Sequence, residues 1–271
     1  MKRRTFLLAF GALSLSACFA QRDATPAPTP SAAAPAPAAP AAPADRSETF
    51  LAPAVIPAEI TRALNDGRES FVPALERVIA ADSGGFLALV DKKRLLPADY
   101  VPADLVPVGA GRSYVPGREG LSLRREAEAA LERMAAAARA DGVTLVVSST
   151  YRSWEYQKKV YERNVRELGR EAADRESAMP GASQHQLGAA ADFGSITDAF
   201  AGTKAGKWLA ENAYKFGWSL SFPDGYEAVT GFRWESWHYR YVGVEAAALQ
   251  REWFGDVQQY MIEFVDAWKR R

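Results

Sequence analysis

Histidine, cysteine and net charge are what this sequence has least of. Its 271 residues include two histidines and one cysteine, and its 33 basic side chains balance 33 acidic ones. A single cysteine excludes a disulfide within the chain, so an exported fold must depend on its core or on a metal. The balanced charge gives no sign of a nucleic-acid partner. Apolar residues make up 48% of the chain, which is enough for a sizeable globular core.

The first residues have the organisation of a secretory signal. Basic residues occupy positions 2–4, and the apolar run over residues 6–15 is too short to span a bilayer. The sequence L-S-A-C that ends at Cys18 resembles a bacterial lipoprotein cleavage box. That resemblance implies cleavage before Cys18 and acylation of its thiol and its new amino group. The alternative is an ordinary signal peptide that happens to contain a cysteine.

Composition then predicts how the mature chain is divided. Ala, Pro, Thr and Ser dominate the segment that follows Cys18, so it has too little apolar surface to fold and should act as an extended tether. We therefore expect a signal peptide over residues 1–17 and a tether over 18–45. A helical N-terminal extension (46–85), a folded domain (86–243) and C-terminal helices packed on that domain (244–271) complete the predicted order.

In the N-terminal part, apolar spacing and helix breakers predict the elements. Two short helices are expected over residues 57–81, interrupted at Asp66-Gly67 and at Pro73. The apolar run over 86–90 is typical of a buried strand. Three prolines over 97–107 predict an irregular loop wrapped over the domain.

The remaining elements alternate irregularly between helix and strand. Ser122 could cap a helix that runs to Ala140, and the β-branched run over 143–149 predicts a central strand. Helices are also predicted over Trp154–Leu168, Lys204–Phe216 and 257–268, the last packed against the core. Strands over 218–222 and 231–242 should form an antiparallel pair. We therefore predict an α+β domain without internal repeats, in which helices surround a small antiparallel sheet.

Both histidines lie in unusual surroundings. A chain of this length would carry roughly half a dozen histidines at average usage. Here His185 is followed seven positions later by Asp192, across a run of glycine and alanine, and His238 lies in the aromatic stretch W-E-S-W-H-Y-R-Y. A histidine in such a segment could simply be a packed core residue. Having a carboxylate near each of them favours a shared site instead.

These residues can supply a catalytic zinc site. Such a site takes three protein ligands and leaves a fourth position for water. With two histidines and an acylated cysteine, the workable set is His185, Asp192 and His238. Glu235, three residues before His238, is the candidate general base, and its side chain can share a site with His238 only if a bend or a strand start separates the two. The alternatives are that Asp192 caps a helix and that Glu235 is a solvated charge.

The same residues carry a resemblance to a known family, the VanY-type zinc D-alanyl-D-alanine carboxypeptidases of bacterial cell walls. The family pattern S-x-H-x-x-G-x-A-x-D is matched over 183–192, and its E-x-W-H pattern over 235–238. The resemblance spans roughly residues 86–243 and implies the Hedgehog/DD-peptidase fold. It also implies one zinc ion on His185, Asp192 and His238, with Glu235 as the catalytic base.

A third stretch, S-T-Y-R-S over 149–153, is similar to the family's S-G-Y-R-S. The resemblance implies that Arg152 binds the terminal carboxylate of the peptide, which a guanidinium can do through two parallel hydrogen bonds. Tyr151, Gln157 and Ser183 are further candidate substrate contacts. The chain departs from the family pattern in three places without losing a ligand: Thr150 replaces a usual glycine, Gln184 a frequent glutamate and Ser236 a frequent proline. Thr150 and Gln184 are expected at the substrate cleft, where they would affect substrate preference.

The sequence therefore predicts a monomeric, zinc-dependent D-alanyl-D-alanine carboxypeptidase that trims peptidoglycan stem peptides. Lipidated Cys18 would anchor it to the bacterial envelope, in the periplasm or on the outer membrane face. Two alternatives stay open: an L,D-carboxypeptidase that acts on tetrapeptide stems, and a zinc-containing wall-binding lipoprotein without turnover. A third, a structural lipoprotein whose histidines merely pack, predicts no bound zinc.

Overall fold

A computed structural model describes Phe50 and residues 52–271. The predicted signal peptide, Cys18 and the tether lie outside the described residues. Helices in the described part are α1 (Ala58–Asp66), α2 (Arg68–Ala81), α3 (Arg125–Ala140), α4 (Trp154–Leu168), α5 (Arg170–Glu176), α6 (Lys204–Asn212), α7 (Glu227–Thr230), α8 (Val244–Trp253) and α9 (Gln258–Lys269). Single 3₁₀ turns cover Gln184–Leu187, Asp198–Gly202 and Ala213–Phe216.

The seven strands of the described residues form two sheets. The strands are β1 (Leu105–Pro107), β2 (Val115–Pro116), β3 (Ser122–Arg124), β4 (Val146–Ser149), β5 (Ala190–Phe193), β6 (Trp218–Leu220) and β7 (His238–Tyr241). β1 and β3 form a two-stranded antiparallel sheet, and the other five are ordered β2-β4-β5-β7-β6. All neighbours in the larger sheet are antiparallel except the short β2, which runs parallel to β4. The predicted sheet is therefore antiparallel apart from this one edge.

The larger sheet and α3 enclose the first of two buried apolar clusters. Helix α3 presents its small and aliphatic side chains, among them Leu131 and Met134, to this core, and both are fully buried. Phe193 of β5 and Trp218 of β6 belong to the same core, with ring centroids 6.2 Å apart. This cluster supports the strands that carry Asp192 and His238.

The second apolar cluster joins the two ends of the described chain. Helices α1 and α2 pack on α8 and α9, and aromatic rings fill the space between them. Phe71 alone has ring centroids of four aromatic side chains within 6.0 Å of its own. We refer to this group of buried side chains as the terminal-helix cluster. The last helix, α9, contributes Tyr260, Met261, Phe264 and Val265 to this cluster.

Four local predictions need correction. The helix expected to break at Pro73 continues through it as α2, because Phe71, Val72 and Leu75 are buried on both sides of the proline and hold the helix in place. Ser122 does not cap α3. It lies in β3, and α3 begins at Arg125. The loop predicted over 97–107 ends in β1, because β3 supplies it with a pairing partner.

The fourth correction concerns residues 86–90, which are buried or half-buried but form no strand. The carbonyl oxygens of Phe86 and Ala88 each accept a hydrogen bond of 2.7 Å from the guanidinium of Arg240. The backbone amide of Leu87 donates to the carboxylate of Asp82 at 3.3 Å. These side chains satisfy backbone groups that a strand would satisfy through its ladder.

The other elements lie close to their predicted positions. α4 runs over the predicted residues, with Ser153 as its N-cap and Gly169 after its last turn. β4 and β7 occupy only the ends of their predicted ranges, and β6 ends at Leu220; β6 and β7 form the expected antiparallel pair. The helix predicted over Lys204–Phe216 ends at Asn212 and is followed by a 3₁₀ turn. Within the part of the chain that the structure describes, no helix is long and apolar enough to cross a membrane.

Candidate active site

Strand register places Asp192 at the centre of the site. Asp192 lies on β5, opposite Ser149 of β4 on one side and opposite His238 of β7 on the other. His238 is the first residue of β7 and follows a turn that begins at Glu235. The predicted strand start between Glu235 and His238 is therefore confirmed. Sheet pairing alone brings one histidine and one carboxylate together from residues 46 positions apart.

The second histidine comes from a 3₁₀ turn that ends in a required glycine. Ser183 begins the turn by accepting a hydrogen bond from the backbone amide of His185 at 3.3 Å. Gly188 ends it with a left-handed φ of 67°. A Cβ at Gly188 would lie 2.9 Å from Leu105 Cδ2 and 3.0 Å from Arg124 Cγ, so a side chain there would displace its neighbours and strain a left-handed backbone. The chain can then enter β5 directly, with His185 facing Asp192.

Hydrogen bonding fixes the tautomer of His185. Its Nδ1 lies 2.7 Å from the carbonyl oxygen of Thr150, which can only accept, so Nδ1 carries the proton. The other ring nitrogen, Nε2, therefore presents a lone pair to Asp192 Oδ2 at 3.1 Å. Burial lowers the pKa of His185 to about 4, against the raising effect of Asp192, so the ring is neutral near pH 7.

His238 is held in the complementary way. Its Nε2 lies 3.2 Å from Gln184 Oε1, an amide oxygen that accepts, and its Nδ1 faces Asp192 Oδ1 at 3.0 Å. The ring of Phe222 packs against the imidazole with centroids 4.8 Å apart. With the proton on Nε2, the lone pair of Nδ1 also points at the carboxylate.

This arrangement fits a metal ion. Two imidazole lone pairs and a carboxylate meet with their donor atoms within 4.8 Å of one another, and all three residues are buried. Burial on its own would raise the pKa of Asp192, and imidazoles that carried a positive charge or donated a hydrogen to it would hold it well below its usual range. With lone pairs on both facing nitrogens, a bound cation takes over that role and keeps the carboxylate ionised. Lone pairs that face one another in a buried site repel unless a cation lies between them. A neutral His, an ionised Asp and a second His form a donor set that suits zinc. We refer to these three residues as the metal centre.

Glu235 lies beside the metal centre rather than in it. Its Oε2 is 3.7 Å from His238 Nδ1, and its side chain is 12% exposed at the wall of a cleft. Burial, followed by the negative charge of Asp192, raises the pKa of Glu235 well above its ordinary value. A carboxyl group in this position can accept a proton and return it.

Arg152 reaches the same cleft from the loop after β4. Its guanidinium donates to Gln157 Oε1 at 2.8 Å and to Ser149 Oγ at 3.1 Å, and it lies 4.0 Å from Asp192 Oδ2. Its buried Nε has no hydrogen-bond partner among the described residues. Burial lowers the pKa of Arg152, although Asp192 opposes this. Arg152 is thus a cation that lines the cleft and is held in position by Gln157 and Ser149.

The remaining predicted contact residues have different surroundings. Ser183 lines the cleft, and fully buried Gln157 orients Arg152 while donating to Ala178 O at 2.7 Å. Tyr151 is half-buried and is not among the residues that line this cleft. Their roles in substrate binding stay predictions. Thr150 is fully buried and Gln184 nearly so, and both hold histidine rings in place.

Sequence reasoning missed Ser149 and Phe222 as parts of the site. Ser149 stands out in the sequence only as part of a motif, yet its hydroxyl accepts a hydrogen bond from Arg152. The alternation of β4 offered a signal, because Ser149 shares a face with the buried Val147. No local pattern marks Phe222, since only the fold brings it to His238.

Comparisons with known proteins identify relatives of this chain. The VanY family, described as D-alanyl-D-alanine carboxypeptidase, matches residues 120–244. The putative carboxypeptidase YodJ of Bacillus subtilis is 39% identical over 167 residues, which cover 59% of this chain and 61% of that protein. The chain thus spans about three fifths of the length of this curated relative.

Solved structures of the same kind superpose on the chain. The LdcB LD-carboxypeptidase, whose structure addresses peptidoglycan recognition, has a TM-score of 0.60 at 35% identity over 66% of this chain and 86% of its own. A mutant of the vancomycin-resistance D,D-pentapeptidase VanY in complex with Zn(II) has a TM-score of 0.54 at 32% identity over 65% of this chain and 98% of its own. This chain belongs to the VanY family of D-alanyl-D-alanine carboxypeptidases. The predicted family and the predicted α+β, Hedgehog/DD-peptidase-like fold are confirmed.

Proposed function

We propose that this protein is a zinc-dependent carboxypeptidase that removes the C-terminal D-alanine from peptidoglycan stem peptides. The observation that carries the proposal is the convergence of two imidazole lone pairs and one ionised carboxylate beside an open cleft. The VanY structure that contains Zn(II) supports zinc as the ion. His185, Asp192 and His238 would hold it, and the bound ion would polarise the scissile carbonyl and stabilise the charge that develops on its oxygen.

The residues of the chain supply the rest of the reaction. Glu235 takes a proton from the attacking water and returns it to the leaving amine, because its carboxylate lies at the cleft wall beside His238. Arg152 binds the free carboxylate of the peptide, with Gln157 and Ser149 holding the guanidinium in position. Recognition of a terminal carboxylate makes the enzyme an exopeptidase. Ser183 and Tyr151 are proposed as further contacts with the peptide.

A direct test uses the whole chain with Glu235→Gln and, as a matched control, Glu227→Gln. Glu227 lies eight residues before Glu235 and forms a surface ion pair with Arg175. We expect Glu235→Gln to bind zinc normally and to release D-alanine from a pentapeptide about 10²–10⁴-fold more slowly, because it lacks the proton acceptor. The control should keep the wild-type rate. Wild-type turnover by zinc-loaded Glu235→Gln would refute the mechanism.

The likeness to LdcB supports a second candidate, an L,D-carboxypeptidase that acts on tetrapeptide stems. The two candidates differ in which stem loses a residue. Incubation of the protein with tetrapeptide and pentapeptide stems, followed by mass analysis of the products, separates them. A protein that binds the wall without releasing any product under zinc-replete conditions would instead be a wall-binding module, against which the presence of Glu235 and Arg152 argues.

We also propose that the protein is an extracytoplasmic lipoprotein that works as a monomer. Cleavage before Cys18 and acylation of that residue would anchor it to the envelope, with residues 18–45 as the tether. Mass spectrometry of the N-terminal peptide from the membrane fraction tests this. Cys18→Ser should abolish the acylated peptide and release the protein from the membrane.

A further inference from the structure

A line of buried side chains leads from the metal centre to the C-terminal helix α9. His238 Nε2 lies 3.2 Å from Gln184 Oε1, and Gln184 Nε2 donates to Gln258 Oε1 at 3.3 Å. Gln258 Nε2 in turn donates to the backbone carbonyl of Ser219 at 3.3 Å. Gln258 is the first residue of α9, is 1% exposed and lies beyond the residues 120–244 that match the family.

The direction of these hydrogen bonds follows from the carbonyl at their end. Because the oxygen of Ser219 can only accept, Gln258 must turn its NH₂ group towards it and its oxygen towards Gln184. Gln184 must then turn its own NH₂ group towards Gln258, which leaves its oxygen for His238. The hydroxyl of Ser221 is consistent with this orientation: it donates its one proton to Gln184 Oε1 at 2.7 Å and lies 3.3 Å from Gln258 Oε1.

The orientation of the Gln184 amide matters for His238. An amide oxygen at Nε2 keeps the proton there and leaves the lone pair of Nδ1 facing Asp192. An amide turned by half a rotation would offer NH₂ to Nε2, and the neutral ring would then carry its proton on Nδ1. In that form His238 has no free nitrogen towards the metal centre.

We propose that Gln258 is a positioning residue for the metal centre: through Gln184 it fixes the His238 tautomer that can bind zinc. This proposal rests on the proposed zinc-dependent function. It gives the C-terminal helix α9 a role in the site. This helix begins at Gln258, which contacts strand β6 at Ser219. Partners that orient a ligating histidine in this way typically affect metal affinity by 10–100-fold.

The test measures zinc affinity by chelator competition, so it needs no turnover. It compares the whole chain with Gln258→Met, which removes the amide at similar volume, and with Gln259→Met as the matched control. Gln259 is the neighbouring glutamine and bonds to Asp91 and Glu263 rather than to Gln184. We expect about tenfold weaker zinc binding for Gln258→Met and a change of less than about twofold for the control.

A second background separates positioning from general damage to the fold. A carboxylate at position 184 has two equivalent acceptor oxygens and needs no orientation from Gln258. In Gln184→Glu protein, the further change Gln258→Met should therefore leave zinc affinity within about twofold. Equal losses in both backgrounds, or wild-type affinity for Gln258→Met alone, would overturn the proposal.

The outcome for the wild type distinguishes the two proposals. If wild-type protein binds zinc and trims stem peptides while Gln258→Met behaves identically, only the positioning role fails. If wild-type protein binds no zinc, the proposed function fails and the positioning role fails with it.

Discussion

The metal centre and the terminal-helix cluster are both buried, but the first consists of polar side chains and the second of apolar ones. At the metal centre, each polar atom is placed by one particular partner, such as Thr150 O for His185. The terminal-helix cluster consists of apolar and aromatic side chains, of which Phe71 is fully buried among four other rings. The first region depends on directed hydrogen bonds, and the second on the volume that it fills.

This difference teaches where function and stability reside in the chain. Neutral imidazoles that face a carboxylate contribute little to the folded state without a cation, so the metal centre is maintained for what it binds. The aromatic rings of the terminal-helix cluster remove a large apolar area from water, so they stabilise the fold without touching the cleft. Substitutions in the two regions should therefore have separable effects.

The largest effect is expected from Asp192→Asn. An amide keeps the shape of the side chain but removes the negative charge between the two histidines. Zinc affinity should therefore fall by more than about a hundredfold, which exceeds the usual effect of changing a residue that only hydrogen-bonds to a ligand. The free energy of unfolding of the metal-free protein should change by less than about 1 kcal/mol, because the amide can donate a hydrogen bond to one ring nitrogen. Chelator competition and denaturant unfolding measure the two quantities. A large loss of metal-free stability would contradict the separation.

Phe71→Ala tests how much the terminal-helix cluster contributes to stability. Truncation of a fully buried ring should lower the free energy of unfolding by about 3–5 kcal/mol. The rate per folded molecule should stay the same, because Phe71 does not line the cleft. Val101→Ala serves as a control, since Val101 is 58% exposed and its truncation should cost less than about 0.5 kcal/mol. Urea unfolding measures the stability, and kcat measures the activity. A changed kcat would show that the terminal-helix cluster and the metal centre are coupled.

The smallest effect should come from Asp91→Asn at the edge of the terminal helices. Burial alone would raise the pKa of Asp91, but hydrogen bonds from Arg94 and from the amide of Lys93 lower it overall. Arg94 also binds Glu263 of α9. At neutral pH we expect a loss of about 1.5–3 kcal/mol on removal of the charge.

The sign of the pH dependence follows from the lowered pKa of Asp91. Its carboxylate stabilises the fold fully above the unfolded pKa of about 3.9, and this contribution is lost as the pH falls through the lower folded value. The difference in unfolding free energy between wild type and Asp91→Asn should therefore shrink in acid. A difference that stays constant from neutral pH to well below the unfolded pKa would show that Asp91 does not act through its charge.

Sequence reasoning succeeded where the information is local. The helix over Trp154–Leu168 is bounded by its own Ser153 and Gly169, and the residues of the metal centre sit in short stretches that resemble family motifs. Gly188 could be anticipated because a sharp turn in a crowded place requires glycine.

It failed where a distant residue decides the local structure. Residues 86–90 have a strand-like composition, but Arg240, more than 150 positions away, takes the carbonyl groups that a ladder would need. Pro73 indicated a helix break, but the aromatic packing around it outweighs the missing hydrogen bond. Gln258 carries no local signal at all, because its partners lie 39 and 74 positions away.

Arg240 also bears on where a self-sufficient folding unit begins. Arg240 lies two residues after His238 and is 1% exposed, and its guanidinium donates to carbonyl groups that precede the family match. A chain cut to residues 120–244 would keep the motif residues but leave a buried cation without those acceptors, which is costly. The stretch that sequence comparison recognises as the family is therefore smaller than the piece of chain that must be expressed for the family's site to form.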